Sequence, residues 1–210
     1  MREQAAHAAL MLDYAVGALG PAATILVETH LALRPAARRE SRAAEAAGGV
    51  FLEWTPREKL AATAAAAGQM AKPAHPAAQA ARALVDVAIA APERIGWRPL
   101  LFGVEQAALP IDNLVLLRLR RGGRVPMHTH AGEELTLVLH GGFADQAGYY
   151  EPGDIAFADE SVRHSPRVPA GGACICLAAH QGLRLSGLLG LIAPQWPRRK
   201  ITPALQARAG

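Results

Sequence analysis

Cysteine is nearly absent: two among 210 residues, Cys174 and Cys176, placed two apart. A pair so close along an extended strand is poorly placed to bridge, which excludes a disulfide framework and gives no sign of an oxidising compartment. Aromatic residues make up only 5% of the chain, and the basic residues gather only in "RPAARRESR" and "PRRK". A basic face interleaved with aromatics is therefore missing, as is a convincing helix-turn-helix pattern, so direct nucleic-acid binding is not expected despite a net charge of +4. No window reaches the run of about 18 apolar residues that a membrane span needs. Asp13 and Tyr14 interrupt the first stretch before it can form the apolar core of a signal peptide. The expectation is a cytoplasmic protein with no membrane partner.

What is present is ample apolar material, 51% of residues, arranged in two styles. Before about residue 92 alanine dominates and apolar positions recur at helical spacing; after it, β-branched and aromatic residues alternate with polar ones between closely spaced turns. This predicts an α+β chain in two parts. The division is a small helical domain over 1–72, a linker and short helix over 73–92, a β domain over 93–195 and a basic tail over 196–210.

In the first part, Leu10, Met11, Tyr14 and Leu19 suggest a helix punctuated by Gly17 and Gly20, and Pro21 can open the next through "AATILVETHLAL" up to Pro35. "AARRESRAAEAAGG" reads as a third helix, stopped by Gly48 and Gly49. A fourth starts from Thr55 as N-cap with Pro56 and Glu58 in its first turn. Pro73 and Pro76 predict a stiff, extended linker before a last short helix. In the second part, "WRPLLF", "VEQAAL", "NLVLLRLR", "ELTLVLHGGF", "DIAFA", "HSPRV" and "ACICLAA" read as strands of a sandwich or small barrel.

The chemistry gathers in "RVPMHTHAGEE", which carries His128, His130 and Glu134. Side chains alternate along a strand, so a strand continuous through all three would project them to one side. Imidazole and carboxylate ligands suit zinc, iron, manganese or nickel alike. Glu133 would face the other way. His140 and His180 read as surface or packing residues, and the apolar neighbours of Cys174 and Cys176 make those two buried strand filler.

The spacing around the cluster is more specific than the cluster itself. Gly122, five residues, His128, one residue, His130, three residues, Glu134, six residues and Gly141 resemble the first cupin motif at every signature position. "YEPGDIAFADESVRHSP" is similar to the second motif, without its leading glycine and second proline, and brings in His164. The resemblance implies a double-stranded β-helix, a jelly-roll barrel, with His128, His130, Glu134 and His164 around one divalent metal, zinc first among the candidates.

"LDYAVGAL", "THLAL", "WRPLLFGV", "ELTLVLHGGF", "GDIAFAD" and "CICLAA", in that order, resemble the ChrR family of anti-sigma factors over nearly the whole chain. That resemblance implies a helical module that binds a sigma factor of the extracytoplasmic-function type and a cupin that responds to oxidative or small-molecule signals. It implies a regulator with no catalytic residues; the alternative is a metal-dependent cupin enzyme of dioxygenase or isomerase type. Barrels of this kind often dimerise, which makes a homodimer an expectation by analogy. The chain departs from the family at the helical module's zinc site: His30 is in place, but Arg34 and Ala37 stand at the two cysteine positions and Ala5 at that of the first histidine, two residues before His7. Two histidines cannot hold a closed zinc site, and none is expected there.

Overall fold

The structure, a computed structural model, describes residues 2–39, 42, 76–100, 102–169 and 171–185. The helix expected from Thr55, the linker at Pro73, most of the helix expected over 36–49 and the tail over 196–210 lie outside those residues.

Helix α1 (Arg2–Ala15) ends where Gly17 takes φ +71° and the Ala18 N–H returns to the Asp13 carbonyl, the six-residue closure that a left-handed glycine permits. Helix α2 (Pro21–Leu33) has Pro21 in its first turn, where the missing N–H costs nothing, and stops at Arg34 ahead of Pro35. Residues 35–39 make a further helical turn. Pro76 is not in an extended linker but begins helix α3 (Pro76–Ala90), again where a proline is tolerated. Ala81, Val85 and Ala88 recur on its buried side. No helix among the described residues is long and apolar enough to cross a membrane.

The strands are β1 (Arg98–Pro99), β2 (Val104–Ala108), β3 (Leu114–Leu119), β4 (His128–His130), β5 (Glu134–His140), β6 (Phe143–Ala144), β7 (Tyr149–Tyr150), β8 (Ile155–Ala158), β9 (Cys174–His180) and β10 (Leu183–Leu185). Six of them form one antiparallel sheet in the order β1-β2-β3-β9-β5-β8. The period of two explains why β9 is apolar throughout. Ile175, Leu177 and Ala179 face the helices with Leu26, Val27 and Val85, whereas Cys174 and Cys176 face the opposite side with Val138, Phe143 and Tyr150. Helices and sheet thus share one continuous apolar core.

The expected barrel is corrected by the pairing. Among the described residues no sheet closes on itself: the six-stranded sheet ends at β1 and β8, and β10 with β4 and β6 with β7 form separate two-stranded ribbons. The expected strand "HSPRV" contributes only isolated bridges, His128 to His164 and Arg167 to both Arg124 and Ala144. Proline explains the interruption, because Pro126, Pro166 and Pro169 have no N–H to give and break each ladder after one rung. The fold is α+β, with helices against one face of an open sheet and short ribbons against the other.

Charged side chains are matched by register. Glu105 sits opposite Arg118 in the β2–β3 ladder; its Oε2 is 2.5 Å from Arg118 Nε and its Oε1 2.6 Å from Arg120 Nη2. The hydrogen bonds from Arg120 and Arg118 hold its carboxyl down at about 2.

Candidate metal centre

Strand β4 turns His128 and His130 to one side and Thr129 to the other. His164 arrives from the second motif through a bridge in which His128 and His164 exchange backbone N–H···O bonds of 3.0 and 3.1 Å. The three rings meet in the interior, 2%, 1% and 5% exposed for His128, His130 and His164. Their Nε2 atoms converge, with His164 3.0 Å from both His128 and His130.

The other nitrogen of each ring faces an acceptor. His128 Nδ1 lies 2.8 Å from the Pro126 carbonyl oxygen and His164 Nδ1 2.9 Å from Asp145 Oδ2. His130 Nδ1 lies 3.2 Å from Glu134 Oε2, at ion-pair distance but without hydrogen-bond alignment. At His128 and His164 the acceptor hydrogen-bonded to Nδ1 fixes a proton there, and the tautomer with its single proton on Nδ1 carries a bare lone pair on Nε2. Burial keeps His128 neutral, pushing it down to about 4 against the opposing pull of the Pro126 carbonyl. For Glu134 burial works against ionisation, but the close His130 ring, followed by the charges of His180 and His128, outweighs it and holds the carboxyl at about 2.

Bare nitrogens 3.0 Å apart repel unless a proton or a cation lies between them. Zinc–nitrogen bonds of about 2.0–2.1 Å separate tetrahedral ligands by roughly 3.3 Å, close to what the rings already provide. The donor set therefore fits a divalent metal. Among the described residues, His128, His130 and His164 are the one group of three or more histidine, cysteine or carboxylate side chains close enough to hold one.

Glu134 enters differently from the sequence expectation. The chain bends at 131–133, so the strand is not continuous and Glu134 begins β5 rather than extending β4. Its carboxylate stands beside the Nδ1 edge of His130 and is not part of the converging triad. Its cross-strand partner is His180, whose Nδ1 is buried without a hydrogen bond. His180 therefore has a place at the site that its position near a strand end did not suggest. Asp145 was also missed, since an aspartate before a glycine turn carries no metal signal in sequence. His140 is exposed and reaches the Ile89 carbonyl at 3.2 Å, a packing role as expected. Cys174 and Cys176 are free, buried and in contact at 3.4 Å; the Cys174 hydrogen bond and burial push the Cys176 thiol well up, so it stays protonated.

At the helical end His7 and His30 also meet, Nε2 to Nε2 at 3.3 Å, with His7 two residues further along α1 than the family spacing places its first histidine. His30 Nδ1 is 2.7 Å from the Gly153 carbonyl oxygen. Arg34, at a family cysteine position, lies over Gly153 and reaches Asp154 Oδ1 at 2.6 Å. His7, His30, Arg34 and Asp154 line an open cavity of about 760 Å³ between the helices and β7–β8.

A chain of this make-up, helices laid on a β region that buries a three-histidine centre, matches the model of the ChrR cupin-like domain over residues 85–183. Over 183 residues it is 38% identical to the anti-sigma-E factor ChrR of Cereibacter sphaeroides, covering 81% of this chain and 86% of that one. The crystal structure of Rhodobacter sphaeroides SigE in complex with the anti-sigma ChrR superposes with a TM-score of 0.64 at 37% identity, over 83% of this chain and 96% of the other. The chain belongs to the ChrR family of anti-sigma factors. A fainter likeness, TM-score 0.39 at 19% identity over 46% of this chain and 82% of the other, is to the polyketide cyclase RemF of Streptomyces resistomycificus and is too distant to carry an activity across.

Proposed function

We propose that the protein is an anti-sigma factor that holds an extracytoplasmic-function sigma factor through its helical part, residues 1–72, and answers a signal received in its β part, residues 93–195. The single observation that carries this reading is the extent of the similarity, 96% of an anti-sigma chain crystallised with its sigma factor. Exposed Leu12 on α1 and Val16 just past its end, whose N–H returns to the Leu12 carbonyl, add an apolar strip of the kind a protein partner covers. Family membership makes the chain a regulator rather than an enzyme.

In the β part, His128, His130 and His164 would hold one divalent metal, with Glu134 beside them as the fourth ligand and zinc the first candidate for a set of three imidazoles and a carboxylate. Bound there, the metal would supply a Lewis-acidic centre. The protein's own residues supply the rest. Strand β5 carries Glu134 opposite Ala158 of β8, the neighbouring Phe157 of β8 packs edge-on to His7 of α1, and one apolar core spans helices and sheet. A signal releases the sigma factor only if it favours a conformation of lower sigma affinity, so sigma affinity must differ between the two states of the histidine centre.

The test is co-purification of the full chain with candidate sigma factors of this type. A stable one-to-one complex is the expected result. Failure to bind any candidate, with the protein folded, would remove the anti-sigma reading.

A further inference from the structure

We propose that Asp145 is a positioning residue for the histidine centre: its carboxylate fixes His164 with the proton on Nδ1 and so aims the Nε2 lone pair at the point where His128 and His130 converge. The inference rests on reading the centre as a metal site. Asp145 lies in neither histidine motif, nineteen residues before His164, yet its side chain is 5% exposed and its Oδ2 is 2.9 Å from His164 Nδ1. An ionised carboxylate only accepts hydrogen bonds, so the ring nitrogen facing it must carry the proton. The same bond raises the basicity of the nitrogen that remains free.

The carboxylate is itself held from behind. Its Oδ1 accepts the N–H groups of Ala147 at 2.8 Å and Gly148 at 3.3 Å, and the Asp145 N–H donates to the Gly148 carbonyl at 2.9 Å, closing the β6–β7 hairpin around it. The hairpin is then tied to the chain that bears His164. Ala144 and Arg167 exchange two backbone hydrogen bonds of 2.9 Å, and the Ser165 N–H donates to Gln146 Oε1 at 3.0 Å. Of the three rings, His164 alone has a charged and well-aligned partner: His128 faces a neutral carbonyl, and His130 faces Glu134 out of alignment. A carboxylate buried this far would be costly without a purpose, and its two oxygens divide cleanly between the turn and the ring.

Asp145→Asn separates those two tasks, because the amide oxygen can still accept from Ala147 and Gly148 while the amide nitrogen offers a proton to His164 where one was accepted. The ring then favours the proton on Nε2 and loses its ligand lone pair. Zinc affinity is measured on the purified full chain by competition with a chromophoric chelator, and the tautomer of His164 is read from ring nitrogen shifts of the metal-free protein. Asp145→Asn is expected to weaken zinc binding by about 10- to 100-fold and to shift His164 toward the Nε2–H form, with the melting temperature of the metal-free protein unchanged. Gln146→Ala, which cuts the other side-chain tie between hairpin and histidine segment, is expected to leave both readouts at wild-type values. Wild-type zinc affinity in Asp145→Asn, an unchanged tautomer, or an equal loss in Gln146→Ala would each overturn the positioning role. If wild-type protein itself failed to take up zinc, the metal reading and this inference would fall together, a result distinct from a zinc-binding wild type with an indifferent Asp145→Asn.

Discussion

Among the described residues the chain holds two groups of buried or half-buried histidines, and their charged neighbours differ. At His128, His130 and His164 the neighbours are the carboxylates of Glu134 and Asp145, and three nitrogens converge. At His7 and His30 the neighbour is the Arg34 guanidinium, whose charge, after burial and His7, helps to hold His30 below its usual value. The first environment favours a cation, whereas in the second Arg34 works against one, with Asp154 pulling the other way, and the group joins parts of the fold: His30 to Gly153, Arg34 to Asp154, and Glu3 to the Tyr150 hydroxyl, which donates at 2.6 Å. Similar side chains at similar burial therefore serve different ends, and the acidic or basic partner decides which.

The comparison breaks most directly in metal content. His128→Ala with His130→Ala is expected to abolish uptake of about one zinc per chain, while His7→Ala with His30→Ala leaves it in place, as read by elemental analysis of the purified proteins. Metal lost from the second variant instead would reverse the assignment. Converting the second environment is the next largest effect: Arg34→Cys with Ala37→Cys removes the cation and adds two thiolate ligands near the His7–His30 pair, and should raise zinc from about one to about two per chain. No gain would mean that the pair lies too far from productive geometry for ligand identity to be the only obstacle.

Acid sharpens what the two groups share. Burial lowers His128 to about 4 from 6.5, and lowers His30 as well. An unfolded chain takes up these protons near 6.5 while the folded chain resists them, so this contribution to the stability of the metal-free protein is complete above that pH and is lost as pH falls toward about 4. A melting temperature that stays flat over that window would contradict the sign. The smallest expected effect is that of Arg34→Ala. The Arg34–Asp154 pair is about one-third exposed on each side, so its loss should cost about 1 kcal/mol or less by denaturant melting. A loss of several kcal/mol would make Arg34 a structural lock rather than a surface tie.

The parts of this fold legible in sequence are those set by near neighbours. Gly17, Pro21 and Pro35 act within a few residues of where they stand, and they bound α1 and α2 as read. His128 and His130 share a side because two residues in one strand must. The break in the strand between His128 and Glu134 was not legible, for a local reason as well: a bend at 131–133 interrupts the alternation, and a three-residue break has a weaker signature than the strands around it. The barrel failed for the opposite reason. Closure depends on ladders between distant segments, and prolines in those segments left single bridges where continuous pairing was expected.

By itself, the amino-acid sequence determined the helical and β halves, the i, i+2 pair at His128 and His130, and the double burial of "ACICLAA", all of which follow from periods of 3.6 or 2 along one element. Only the tertiary structure decided that Asp145 meets His164, that His180 stands across from Glu134, that His7 reaches His30, and that the sheet stays open. Each of these pairs elements far apart in the chain, where register and packing, rather than local spacing, choose the partner.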